Sequence, residues 1–260
     1  MSIQHLLHSF DLSGRTALVT GASSGLGAHF CKVFAQAGAR VIACARRLDR
    51  LEKLVAEIND ADGNAYAIAM DVADADSVAR AFEQIDKLPS GVDILVNNAG
   101  VGSSHRFVKT TEADWDAFME TNLKSVWRVS RQCIDRMRAR DSGGSIINIA
   151  SILGLQPALG LSLYATSKAG VIQLTKTMAL ELAGDRIRVN AICPGYFHTE
   201  MNAAFFNTER GLEFIRSTPA GRWGELHELT GPLLLLASDA GSFINGVALP
   251  VDGGHLVQSL

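Results

Sequence analysis

Cysteine is scarce and never paired at short range. Only four occur in 260 residues, at positions 31, 44, 133 and 193, with no CxxC pair and no zinc-ligand spacing. That excludes a disulfide framework and a cysteine-built metal site, and predicts free thiols in a reducing compartment. Long hydrophobic runs are missing too. The longest, Pro232 to Ala237, falls far short of the ~20 residues that span a bilayer. The amino-terminal stretch MSIQHLLHSFDLSGR has no cationic segment followed by a long apolar one, so no secretory leader is expected. Basic excess is also absent: 24 Lys and Arg face 27 Asp and Glu, a net charge of −3. No nucleic-acid or anionic-membrane partner is advertised, although a few local cations can still receive an acidic small molecule. There is no internal repeat, no low-complexity tract and no Pro/Gly/Ser linker. The expectation is one soluble, cytoplasmic domain over residues 1–260.

What the chain does have is 47% hydrophobic residues with 20% charged, enough for a sizeable core, and a regular alternation. Short apolar runs at Thr16–Thr20, Val41–Cys44, Ala65–Met70, Ile94–Asn97, Ser145–Ile149, Arg188–Ile192 and Val247–Val251 read as seven strands. Amphipathic stretches at Gly25–Gly38, Leu48–Asn59, Ala75–Asp86, Trp115–Arg140 and Tyr164–Leu182 read as helices between them. Alternation of this kind predicts an α/β fold with a mostly parallel sheet and helices on both faces. Residues 193–222 hold Pro194-Gly195 and four Phe with little periodicity, and are expected to contain a substrate lid.

Thr20-Gly21-Ala22-Ser23-Ser24-Gly25-Leu26-Gly27 follows the first strand and opens the first helix. Glycines let backbone approach a diphosphate, and the helix amino terminus offers unpaired N–H groups. The alternative, a simple strand-to-helix turn, is the weaker reading of the loop. Asp71, with Val72, follows the third strand and can accept from an adenine amino group, or simply cap a turn. Asn97-Asn98-Ala99-Gly100 closes the fourth strand, where small and amide residues suit the ligand crevice of an open α/β sheet. The second strand ends in Ala45-Arg46-Arg47 without a carboxylate until Asp49. A ribose-binding acid would suit NAD; arginines instead suit the 2′-phosphate of NADP, so NADP(H) is expected over NAD(H).

Tyr164 and Lys168 stand four residues apart on a predicted helix and share a face. A phenol titrates near ~10, a poor match for proton transfer at neutral pH, and a neighbouring ammonium favours its anion. Ser151, just past the fifth strand, can donate to a carbonyl oxygen beside the phenol. Asn122 lies inside a helical pattern that Asn does not favour, which points to a local kink or a use for its amide.

Together these residues resemble the short-chain dehydrogenase/reductase family in its single-domain form, with order and spacing matched from about Leu12 to Gly254. The resemblance implies a Rossmann-like doubly wound fold and hydride transfer between a nicotinamide cofactor and a ketone or secondary alcohol. Tyr164 would hand a proton to, or take one from, the substrate oxygen. Lys168 would lower the Tyr164 pKa and bind the nicotinamide ribose, Ser151 would polarise the substrate oxygen, and Asn122 would hold a water in a proton relay. Gly21, Ser23, Ser24, Gly25, Leu26 and Gly27 would take the diphosphate. Asp71 and Val72 would face the adenine, and Asn98, Ala99 and Gly100 the adjoining ribose. Ile192, Pro194, Gly195 and Thr199 would border the nicotinamide. Arg46 matches the arginine of NADP-preferring members, and the glycine loop lacks the basic residue that some of them carry. A homo-oligomer, tetramer or dimer, would be built on the two long helices.

The substrate pocket is expected from Leu153, Leu159, Phe197 and Phe205, with Met201 and Phe206 nearby. That set is largely apolar and suits an aliphatic, alicyclic or aromatic ketone. His105, Arg106 and His198 offer weaker polar options. A 3-oxoacyl thioester reductase, on an acyl carrier protein or coenzyme A, runs the same chemistry. A non-catalytic dinucleotide sensor would be expected to lack Tyr164, Lys168 or Ser151, and all three are present.

Overall fold

A computed structural model describes residues 7–200, 203 and 208–257. Seven strands form one sheet: β1 (Thr16–Thr20), β2 (Arg40–Ala45), β3 (Asn64–Ala69), β4 (Ile94–Asn97), β5 (Gly144–Ile149), β6 (Ile187–Pro194) and β7 (Ala248–Val251). The order is β3-β2-β1-β4-β5-β6-β7. All six pairings are parallel. Among the described residues, eight α-helices flank it: α1 (Gly25–Gln36), α2 (Leu48–Asn59), α3 (Ala75–Ile85), α4 (Glu112–Met119), α5 (Ser125–Arg140), α6 (Ser162–Glu181), α7 (Glu209–Arg216) and α8 (Thr230–Ala237). No helix among the described residues is long and apolar enough to cross a membrane.

The strands are apolar on both faces because both faces are covered. Ala17, Val19, Val41, Ala43, Ile94 and Val96 join Phe30, Phe34, Leu51 and Leu233 from α1, α2 and α8 in one core layer. Their neighbours Leu18, Ile42, Cys44 and Leu95 join Val78, Phe82, Cys133 and Met178 from α3, α5 and α6 in the other. The period of two along each strand thus sorts alternate residues between two helix layers.

The chain steps outward from β1 to β3, then returns to place β4 against the other side of β1. The loops after β1 and β4 therefore diverge to opposite faces, opening a crevice at the strands' carboxyl ends.

Most boundaries shift by one or two residues, and some differ from the sequence expectation by more. The helical pattern expected at Trp115–Arg140 begins earlier, at Glu112, behind a Thr111–Asp114 capping box. It is also divided by a π-turn over Glu120–Lys124. β6 extends from Ile187 to Pro194, longer than the expected Arg188–Ile192, because its last residues pair with β7. Within the expected lid, α7 forms behind a Thr208 cap whose hydroxyl accepts from the Gly211 N–H.

Candidate active site

The glycine loop is shaped by contacts between the ends of β1 and β4. The Thr20 hydroxyl accepts from the Asn98 and Ala99 N–H groups at 3.0 and 3.1 Å. The Asn98 amide donates back to the Thr20 carbonyl at 3.0 Å. Gly21 turns at φ +66°, and a Cβ there would stand 2.8 Å from the Ala99 Cα. At Gly27 a Cβ would come within 2.4 Å of the Gly21 carbonyl oxygen. Neither position admits a side chain, so backbone lines this end of the cleft and the amino terminus of α1 faces into it.

A cleft of about 320 Å³ runs from this loop across the strand ends. Gly21, Ser23, Ser24, Gly25 and Leu26 line its floor; Gly27 packs behind them rather than lining it. Arg46, Arg47, Asp71 and Val72 line one end, with Asn98, Ala99 and Gly100 between. Arg47 donates to the Ser23 and Ser24 hydroxyls at 2.9 and 3.0 Å. The Asp71 carboxylate accepts from the Ala73 N–H, and Arg128 donates to the Val72 carbonyl, so this wall is fixed. Ala45, Met70, Val101, Thr121, Ile149, Ala150 and Glu200 also line the cleft and were not anticipated. Backbone at strand ends explains most of them, and nothing in their local sequence marks them.

At the other end stand Ser151, Tyr164, Lys168, Pro194, Gly195, Phe197 and Thr199. Tyr164 and Lys168 share a face of α6, with the Lys168 Nζ 5.7 Å from the Tyr164 ring centre. That Nζ donates to the Ile149 carbonyl at 2.8 Å. Burial pulls the ammonium down to about 8, opposed weakly by Cys193. Burial pushes the Tyr164 phenol above its ordinary value; a hydrogen bond with Ser151 draws it partly back, and the nearby Tyr196 phenol pushes it further up. The fall in Tyr164 pKa that the resemblance assigns to Lys168 is not what this geometry gives. Desolvation dominates, and the phenol holds its proton through the neutral range.

Asn122 lies fully buried in the π-turn and does not line the cleft. Its Oδ1 accepts from the Val101 N–H at 2.8 Å. Its Nδ2 donates to the Val101 carbonyl at 3.0 Å and the Ser167 hydroxyl at 3.1 Å. Beneath the site, Asn97 donates to Ser130 and Asn148, and Asn148 donates to Thr175, a buried chain of amides and hydroxyls joining β4, β5, α5 and α6.

The expected substrate residues divide. Phe197 is buried and lines the cleft. Leu153 is buried beneath the turn after Ser151, and Leu159 is 90% exposed; neither lines the cleft. Leu153 belongs to the support of Ser151, since its N–H donates to that hydroxyl. Ile192 is buried in the sheet. Phe205, Met201 and Phe206 lie outside the described residues. His105 and Arg106 are exposed, and exposed His198 rests against Trp223 with ring centres 5.2 Å apart.

Comparison with known proteins agrees with this geometry. Residues 15–210 match the family model for short chain dehydrogenases. The 3-oxoacyl-acyl-carrier-protein reductase of Thermotoga maritima is 39% identical over 251 residues, covering 95% of this chain and 99% of that protein. Gluconate 5-dehydrogenase of Gluconobacter oxydans is 36% identical, covering 96% and 97%. A crystal structure of gluconate 5-dehydrogenase from Burkholderia cenocepacia, in complex with NADP and tartrate, superposes with a TM-score of 0.94 at 36% identity, covering 98% and 100%. The family model spans most of the chain and the relatives match over nearly its whole length, so the chain belongs to the short chain dehydrogenase family.

Proposed function

We propose that this protein is an NADP(H)-dependent oxidoreductase that interconverts a ketone and a secondary alcohol, with Tyr164 as the proton donor and acceptor. The observation that carries the reading is one continuous cleft, with a glycine cradle and two arginines at one end and Tyr164, Ser151 and Lys168 at the other. The cradle fits a dinucleotide because the missing side chains at Gly21 and Gly27 let the loop close against Asn98 and Ala99, leaving backbone at the cleft surface that a diphosphate can approach. Gly21 to Leu26 would hold the diphosphate, Asp71 and Val72 the adenine, and Pro194, Gly195 and Thr199 the nicotinamide. Arg46 and Arg47 stand where an NAD enzyme would place a carboxylate, and the Burkholderia relative was crystallised with NADP.

When bound, the reduced nicotinamide supplies hydride. Ser151 and Tyr164 present two hydroxyls toward one point of the cleft, where a carbonyl oxygen would accept from both. The phenol, held protonated by burial, donates its proton as negative charge develops there. Lys168 places a positive charge beneath the ring and stabilises the phenolate left behind. Asn122 fixes the loop after β4 against α6 and so positions the helix that carries Tyr164 and Lys168.

Val101, Ala150 and Phe197 surround the reacting end, which favours a ketone flanked by carbon. A 3-oxoacyl thioester is the second reading, favoured by the activity named for the Thermotoga relative. We further read the chain as one catalytic domain with a substrate lid within residues 193–222. We read it as a homo-oligomer built on α5 and α6, which expose Trp127 and Leu180. Its four free, buried cysteines fit a cytoplasmic setting.

The test is Tyr164→Phe, assayed with an alicyclic ketone, 5-ketogluconate and an acetoacetyl thioester. Turnover of the accepted substrate should fall by on the order of 100-fold or more, with NADPH binding nearly unchanged. Wild-type turnover by the variant would remove Tyr164 from the chemistry.

A further inference from the structure

Glu200 has no part in the proton chemistry, yet it closes the cofactor end of the cleft. Residues 199 and 200 leave β6 and cross the glycine loop, where the Thr199 side chain lies 3.7 Å from the point a Gly25 Cβ would occupy. Beyond it, both Glu200 carboxylate oxygens accept from Arg50 Nη1 at 3.0 Å. Arg47 Nη1 stands 3.8 Å from the same carboxylate. Arg47 also holds the Ser23 and Ser24 hydroxyls. Glu200, Arg46 and Arg47 all line the cleft. Among the described residues Arg46 has no carboxylate partner. The arginine cluster after β2 therefore already contains an anion of its own, contributed from 150 residues away.

We infer that Glu200 sets how strongly the cleft holds a 2′-phosphorylated nucleotide, by acting as an internal counter-anion, held in place by Arg50, that competes with the phosphate for Arg47. The inference rests on the NADP(H) reading and adds to it a residue that tunes selectivity. Arg46 and Arg47 unopposed would hold the 2′-phosphate tightly. With Glu200 present, the phosphate has to share Arg47 with a carboxylate of its own sign. Both ion pairs are half-exposed, so displacement is inexpensive and the effect is graded rather than prohibitive. A cofactor without the 2′-phosphate does not compete with Glu200 and does not sense it. The carboxylate thus lowers the affinity for NADPH selectively and leaves the arginines partnered as the nucleotide departs.

The experiment is fluorescence titration of the wild type and Glu200→Gln with NADPH and with NADH, at low and at high salt. The amide keeps the shape and removes the charge. NADPH should bind roughly three- to tenfold more tightly to E200Q, a tenfold change being about 1.4 kcal/mol, and NADH should change by less than about twofold. The gain should shrink as salt screens the exposed charges. An E200Q protein whose NADPH-to-NADH affinity ratio is unchanged, or that binds NADPH more weakly, overturns the inference; the weaker binding would make Glu200 an organiser of the arginines instead. A wild type that binds NADH as tightly as NADPH overturns the NADP(H) reading separately. If E200Q then gains a preference for NADPH, the role of Glu200 stands without that reading; if it does not, both fall.

Discussion

Lys168 occupies the least favourable site for a charge in the cleft, 5% exposed and paired only with a carbonyl. Burial lowers its pKa to about 8, below its unfolded value. Below about pH 8 both folded and unfolded chains carry the proton, and the folded state bears the whole cost of burying it. Between about 8 and the unfolded value the unfolded chain binds more protons, so this group's contribution to stability rises with pH. Activity runs the other way. On the role proposed for Lys168, reduction needs the ammonium beneath the phenol, so kcat/KM for ketone reduction should be level through neutral pH and fall above about 8. Lys168→Met should cut turnover by on the order of 100-fold or more and abolish that inflection, while its Tm at neutral pH is no lower than the wild type's. A rate profile level through pH 9 would assign the proton inventory elsewhere. The pairing of Tyr164 with Lys168 was legible from spacing alone, because four residues on a helix make one face. The direction of the Tyr164 shift was not, because desolvation depends on what the rest of the chain packs around the ring. Glu200 was illegible for a related reason: its arginine partners are 150 residues away.

The π-turn over Glu120–Lys124 shows what an element can hide inside a helical pattern. One extra residue in the turn interrupts the regular ladder, and such turns recur at functional sites. Here it delivers the Asn122 amide to the Val101 backbone and the Ser167 hydroxyl, and that hydroxyl in turn donates to the Tyr164 carbonyl. The sequence marked Asn122 as an irregular residue for a helix interior and left open a kink or a use for its amide; the π-turn and the amide's hydrogen bonds are both present. It did not show the recipient, since Val101 sits in a loop and carries no polar side chain. The start of α4 could have been read from Thr111-Glu112-Ala113-Asp114, a capping-box spacing. By contrast α7 has only eight residues and contains Gly211, too little periodicity to stand out. Asn122→Ala would remove the partners of the part-buried Val101 N–H and carbonyl, at a cost on the order of 2 to 3 kcal/mol. Thermal unfolding should drop by roughly 5 to 10 °C, and kcat should fall more than KM changes. Unchanged melting and turnover would separate the turn from the site.

The order of the strands turns these local parts into one device. Each of the first six strands ends at the cleft: Gly21 follows β1, Arg46 β2, Asp71 β3, Asn98 β4, Ser151 β5, and Pro194 closes β6. Alternation of strands and helices was enough to predict a parallel sheet, because crossover helices allow little else. The placement of β4 beside β1, which opens the crevice, follows from how the helices pack and is not written in any local pattern. The consequence is mechanical as well as chemical. A dinucleotide lying along the cleft touches segments from positions 21 to 200, so it ties together loops that the backbone alone connects only through the core. Binding to the folded state alone at about 100 times Kd adds about 2.7 kcal/mol, which in a chain of this size raises Tm by roughly 5 to 10 °C. NADPH should therefore raise the melting temperature and slow amide exchange in the loops after β1 to β6 together. α8, which packs against the sheet and does not line the cleft, should gain only what global stabilisation supplies. Protection confined to the glycine loop would mean that the ligand binds by its diphosphate alone, and that the two ends of the cleft do not serve one molecule.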